Sequence, residues 1–167
     1  MFELKPLSPA AVPAALAKAE RYRLLNEPDQ SQSICEDVLR ADPGNHQALI
    51  TLILALSDDF PHHHGRTATR ARELVAQLPT EYERWYYGGL VAERHARALL
   101  EGGGPGARAG AQWLQEAMQF YERAEALRSP DNDEARLRWN ACARVFNSQP
   151  ALLAVVDDEV PSPIMNE

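Results

Sequence analysis

Residues 15–43 read ALAKAERYRLLNEPDQSQSICEDVLRADP, two helical patterns separated by a single break. In the first, Ala15, Ala19, Tyr22 and Leu25 recur at spacings of three and four, the period of one face of an α-helix. Glu27 and Pro28 end that pattern. In the second, Ile34, Cys35, Val38 and Leu39 form the apolar stripe, and Asp42, Pro43 and Gly44 close it. Two short amphipathic helices this close in sequence can bury their stripes only against each other and a further neighbour, which makes the segment a helical hairpin.

The same grammar continues in both directions. Upstream, the first helix spans residues 10–26 and becomes regular near Val12, with Pro13 tolerated in its first turn. Downstream, Asn45 caps a third helix reaching residue 57, in which Ala48, Leu49, Leu52, Ile53 and Leu56 are candidate core residues. Its circumference is apolar on most sides, as expected of a central helix. Residues 67–78 form a fourth helix around Ala71, Leu74, Val75 and Leu78, and Pro79 and Thr80 separate it from a long fifth helix over 81–100.

That fifth helix carries Trp85, Leu90, Val91 and Leu99 for bulk, with Gly88 and Gly89 in its interior. An interior glycine destabilises a helix by about 1 kcal/mol relative to alanine. The pair is therefore read as the place where another helix crosses at short range. Residues 101–110, rich in glycine, are expected to form a flexible connection. A sixth helix covers 111–128 with Trp113, Leu114, Ala117, Tyr121, Ala124 and Leu127 on one stripe. A seventh, capped by Asp131 or Asn132, carries Leu137, Trp139, Ala141, Cys142, Val145 and Phe146. The chain thus reads as about seven helices in one domain over 1–147, followed by a tail over 148–167 that is partly ordered through residues 152–156. The strict alternation of a half-buried strand is missing, so the fold class is all-α, built of antiparallel helix pairs.

The spacing resembles the tetratricopeptide repeat family, whose 34-residue unit is a helix-turn-helix with bulky and small residues alternating. Ala19 and Tyr22 fall at its small and aromatic positions; Ser31, Cys35 and Val38 at the packing positions of its second helix; Pro43 at the closing proline. A second unit uses Gln47, Ile50, Thr51 and Leu54, then Ala71, Val75 and Leu78 after a lengthened turn. A third uses Trp85 and Gly89, then Ala117, Tyr121 and Ala124, with Pro130 about one residue late. Leu137 and Ala141 mark a capping or half-repeat helix. The resemblance covers roughly residues 12–146 and implies a short right-handed superhelix whose first helices line a concave, partner-binding face. Carried onto this chain, that face is expected to expose Leu16, Glu20, Ala48, Leu52, Ala55, Tyr86, Leu90, Glu93 and Arg94. Leu52 and Leu90 occupy the asparagine positions with which some members grip a terminal carboxylate, so an apolar segment or helix is the expected ligand.

Composition narrows the function classes. The 167 residues carry a formal net charge of -7, which disfavours a general nucleic-acid binder. An apolar run long enough to span a bilayer is lacking, residues 1–10 lack the apolar core of a signal peptide, and Cys35 and Cys142 fall at core positions, so the cytoplasm is the expected compartment. His62, His63 and His64, with Asp58, Asp59 and His46 nearby, offer imidazole and carboxylate groups to zinc or nickel, the candidate set being His62, His64 and Asp58. Adjacent side chains seldom converge on one ion, however, and a lengthened turn is the plainer reading. Glu93 and Glu116 are candidates for paired carboxylates. Residues 102–106 do not form a phosphate loop, because neither a Lys-Ser nor a Lys-Thr pair follows them. The expectation is a non-enzymatic, cofactor-free adaptor for a protein or peptide partner. A self-associating oligomer component, and a small helical metal protein or hydrolase, are the competing readings.

Overall fold

A computed structural model describes residues 2–60, 64–104 and 106–157; of residues 64–66 and 155–157 only the backbone is described. After a 3-10 turn at Pro9–Ala11, the described chain holds eight α-helices: α1 Val12–Leu24, α2 Pro28–Ala41, α3 His46–Asp58, α4 His64–Val75, α5 Glu81–Gly102, α6 Gly106–Ala126, α7 Glu134–Ser148 and α8 Pro150–Asp157. From α1 to α8 each helix packs on its sequence neighbour. In addition α1 touches α3, α3 touches α5, α5 touches α7, and α6 touches α8.

Local chemistry sets the boundaries. At the end of α1, Asn26 takes a left-handed φ of 59°, a conformation its short polar side chain tolerates. The Glu27 N–H then reaches back to the Tyr22 carbonyl at 2.9 Å. Pro28, with φ already near the helical value, opens α2. Asn45 Oδ1 accepts from the Ala48 N–H at 2.9 Å and starts α3 as expected. The start of α5 is a reciprocal cap: Thr80 Oγ1 accepts from the Glu83 N–H at 3.2 Å, and Glu83 Oε2 accepts from the Thr80 N–H at 3.3 Å. Thr80→Ala is expected to lower stability by about 1 kcal/mol, read as a shift in the urea midpoint at constant slope. Thr80→Ser restores the cap and should recover most of that loss.

Two large core clusters meet at α5. One joins α1–α5 around Leu49, Ile53, Leu56, Phe60 and Leu78; the other joins α5–α8 around Leu114, Ala117, Tyr121, Cys142 and Phe146. Gly88 and Gly89 lie where α6 crosses, as their sequence context requires. A Cβ on Gly89 would stand 2.7 Å from Tyr121 Cε1, and one on Gly88 would stand 3.3 Å from Phe120 Cδ2. The tyrosine ring fills the space that a methyl group at Gly89 would occupy.

Several expectations are corrected. The glycine-rich stretch is mostly helical: α5 runs on to Gly102 and α6 begins at Gly106. The chain turns at Gly103 and Gly104, with φ of 64° and 56°. Gly110 is helical for a packing reason, since a Cβ there would lie 2.8 Å from Leu100 Cγ. α4 ends at Val75, three residues earlier than expected, and Leu78 enters the core from the following turn at 1% exposure. Leu25, Leu127 and Leu137 are exposed (57%, 47% and 66%); in α7 the expected Cys142 and Phe146 are buried, and Ala135 joins them. The N-cap of that helix is Asp133, neither of the two expected residues, although Asn132 Oδ1, one position earlier, accepts from the Glu134 N–H at 3.0 Å. The segment after residue 148 supplies an eighth helix, which packs on α6 and α7 with Leu152 buried.

Candidate functional site

Because α1, α3, α5 and α7 neighbour one another, their outward residues share one side of the molecule. Between α1 and α3 that side opens into a groove of about 370 Å³, lined by Glu20, Arg23, Leu24, His46, Gln47, Ile50, Thr51 and Leu54. Leu24 stands at its edge 88% exposed. Gln47 Nε2 donates to Glu20 Oε1 at 2.8 Å and bridges the two helices, and His46 Nε2 meets Glu83 of α5 at 2.8 Å.

Asp58, the last residue of α3, sits between two guanidiniums. Arg23 Nε donates to its Oδ2 at 2.8 Å and Arg94 Nη1 to its Oδ1 at 2.6 Å. Arg94 Nη1 also donates to Ser57 Oγ at 2.7 Å and to the Leu54 carbonyl at 3.0 Å. These bonds place two cations at the carbonyl end of α3 and tie α1 to α5 across it.

A second polar centre lies behind Gly89. Glu93 is 2% exposed. Its Oε2 accepts from the Tyr121 hydroxyl at 2.8 Å, Arg97 Nη2 lies 2.9 Å from its Oε1, and Arg138 Nη1 of α7 lies 3.8 Å from the same oxygen. A buried carboxylate is tolerable only with this density of donors. Burial and the Glu93 charge push the Tyr121 hydroxyl far above the ordinary tyrosine range, so it stays a donor. Beside this centre Tyr86 stacks on Tyr82 at 5.9 Å and meets Tyr87 edge-on at 5.1 Å. Burial pushes the Tyr87 hydroxyl up to about 12.

The expected strip divides once its residues are placed. Glu20, Tyr86 and Arg94 reach solvent on this side. Leu16, Ala48, Leu52, Ala55 and Leu90 are at most 5% exposed, and Glu93 is 2% exposed. Those six are core residues, which corrects the expectation that they face outward. In α3 the outward positions include Gln47, Ile50 and Leu54, one or two residues before the expected ones. One residue is about 100° of rotation, enough to turn a face from solvent to core. The signal that would have found the outward face is the polarity of His46 and Gln47 in line with Ile50 and Leu54.

The other candidates separate as well. His62 and His63 lie outside the described residues, as does the side chain of His64, while Asp58 is engaged by Arg23 and Arg94. Among the described residues no group of three or more His, Cys, Asp or Glu is placed to hold a metal ion. Glu93 and Glu116 do not pair: Glu116 faces Arg72 at 3.4 Å in a different groove. Burial pushes the Cys35 and Cys142 thiols up to about 11 and about 12, leaving little thiolate at neutral pH.

That different groove escaped sequence reasoning. It lies between α4, α5 and α6, measures about 390 Å³, and is walled by Val75, Trp85 and Phe120 with Gly88 at its floor. Arg123 lies over the Trp85 ring at 4.6 Å, and nearby Arg72 lies over Trp113 at 4.0 Å. The two tryptophans signalled an interior, yet both are only partly buried and carry guanidiniums on their faces.

Among the described residues no helix is long and apolar enough to cross a membrane. Family models, curated proteins and solved structures were all compared with the chain, and none matches it.

Proposed function

We propose that this protein is a non-enzymatic interaction module, a short tetratricopeptide-like array that holds a partner peptide or helix along the side shared by α1, α3 and α5. The observation that carries this reading is the open groove between α1 and α3, with Leu24 standing 88% exposed at its edge and Ile50 and Leu54 half-buried along it. An isolated surface leucine needs no explanation, but one that extends a concave strip does. Covering a leucine or isoleucine completely is worth about 1.5–3 kcal/mol, so two or three such contacts support a weak to moderate complex once ordering is subtracted. Two buried free thiols suit a reducing cytoplasm.

The test is capture of the native partner by three forms of the protein. Leu24→Glu and Ile50→Glu are expected to abolish capture while the helical circular dichroism stays unchanged. Glu73→Lys, on the exposed part of α4, should leave capture intact. Capture that survives both groove substitutions would remove the proposal. Sedimentation over a concentration series tells whether the captured partner is a second copy of the chain, the alternative occupant that exposed Leu24 and Leu25 favour.

A further inference from the structure

We propose that the segment held on this side is acidic, and that Arg23, Arg94, Arg97 and Arg138 receive its carboxylates. The inference rests on the interaction reading above and names the chemistry of the partner.

The protein carries 24 acidic residues against 17 Lys and Arg. Along the odd-numbered helices that balance reverses locally. Arg23 and Arg94 share Asp58, and Arg97 and Arg138 share Glu93, so four guanidiniums converge on two carboxylates. Further acids flank this group: Asp59 follows Asp58 at the end of α3, and Glu101 stands one turn beyond Arg97 on α5. Glu134 opens α7 one turn before Arg138, and Glu83 is three turns before Arg94 and engages His46. Glu20 is bound by Gln47. The four guanidiniums thus form a basic cluster where α1, α3, α5 and α7 meet, with Arg94 close to both Arg23 and Arg138.

Three features make these guanidiniums receptors as well as braces. Each has five N–H donors in a fixed fork, and the internal carboxylates engage only some of them. Arg23 offers Asp58 its Nε and Arg97 offers Glu93 its Nε and Nη2. Their side chains keep solvent access, at 20% for Arg23, 43% for Arg97 and 40% for Arg138. Finally, they are already held in place, so little rotamer entropy is lost on binding. Tyr86 lies near Arg138, with Tyr82 stacked on it, and offers apolar surface between the charges. The fitting occupant is a protein segment in which acidic residues alternate with apolar ones. The overall charge of -7 disfavours a nucleic acid, whose dense phosphates would meet a repelling surface elsewhere.

The test uses the full chain and a fluorescein-labelled peptide of alternating glutamate and leucine, read by anisotropy. The same peptide with lysine for glutamate, and a single-stranded RNA of similar length, are compared with it. The acidic peptide is expected to bind, and to weaken as salt is added, while the lysine peptide and the RNA do not. Arg97→Gln with Arg138→Gln should reduce affinity by about tenfold or more. Arg136→Gln, on α7 but paired with Glu125, should leave it unchanged. Absence of acidic-peptide binding, equal binding of the lysine peptide, or tighter binding of the RNA each overturns the inference. If the double variant loses helicity, the peptide comparison on the unaltered protein still decides. Lysine-peptide binding that Ile50→Glu abolishes defeats the acidic ligand alone and spares the groove. Acidic-peptide binding lost with the arginines but indifferent to Leu24→Glu and Ile50→Glu defeats the groove reading instead.

Discussion

Glu93→Ala is expected to lower the unfolding free energy by about 2–4 kcal/mol, the sum of an orphaned buried hydroxyl and a small cavity. The hydroxyl is that of Tyr121, which is fully buried and donates to Glu93 at 2.8 Å. Arg97 and Arg138 contribute less to the loss, because at 43% and 40% exposure both can turn to water. Glu93→Gln keeps an oxygen for the tyrosine and should lose less. The decisive comparison is a double-mutant cycle in urea. Tyr121→Phe removes the donor, so Glu93→Ala made on that background should be milder than on the parent protein by about 1 kcal/mol or more. Additive losses would mean that the hydroxyl and the carboxylate do not support each other, and a Glu93→Ala protein within about 0.5 kcal/mol of the parent would contradict the account outright.

The second large effect is expected at Gly89. Alanine there gains about 1 kcal/mol of helix propensity and meets an overpacking penalty of about 1–3 kcal/mol, so the net change should be destabilising. The penalty is real because the ring it meets cannot retreat: Tyr121 is fully buried, and its hydroxyl is anchored on Glu93. Gly89→Leu should fail to give a cooperatively folded protein. Gly88→Ala is the informative contrast. Its methyl would meet Phe120 at 3.3 Å, but that ring borders an open groove and can yield, so the variant should be neutral or slightly stabilised. Equal losses at the two positions, measured by thermal unfolding, would refute the distinction.

The two glycines also show how much of the molecule was legible in its sequence. Local signals carried the helices: periodic Ala and Leu, Asn45 before α3, Pro28 at the start of α2, and a glycine pair that needed a crossing partner. What local signals could not carry was phase and extent. The face of α3 was misassigned by one or two residues because that helix is apolar nearly all round, so hydrophobicity alone does not say which third is wet. Gly106 and Gly110 read as linker residues because their packing partners, Leu99 and Leu100, lie across a turn. The polar centres were the least visible part. Arg23 meets Asp58, Arg94 meets Asp58, and Tyr121 meets Glu93 over separations of 35, 36 and 28 residues, distances at which spacing patterns are silent. Glu93 was singled out, and for the wrong neighbour; Arg97, Arg138 and Ile50 were missed as members of the outward face.

Because each helix leans chiefly on those just before and after it, the order in which the chain makes contacts during folding is largely fixed by sequence proximity. Few long loops must close before contacts reward them, which favours rapid folding. Stability in such a one-dimensional arrangement need not be shared equally along the chain. The α5–α6 hairpin, with its interlocked Gly89 and Tyr121, is the natural seed, and its backbone amides should be the last to exchange with solvent. The α1–α2 hairpin packs chiefly on α3, so it should open before the α5–α6 hairpin does, and the groove it helps to form would then exist only while that opening is reversed.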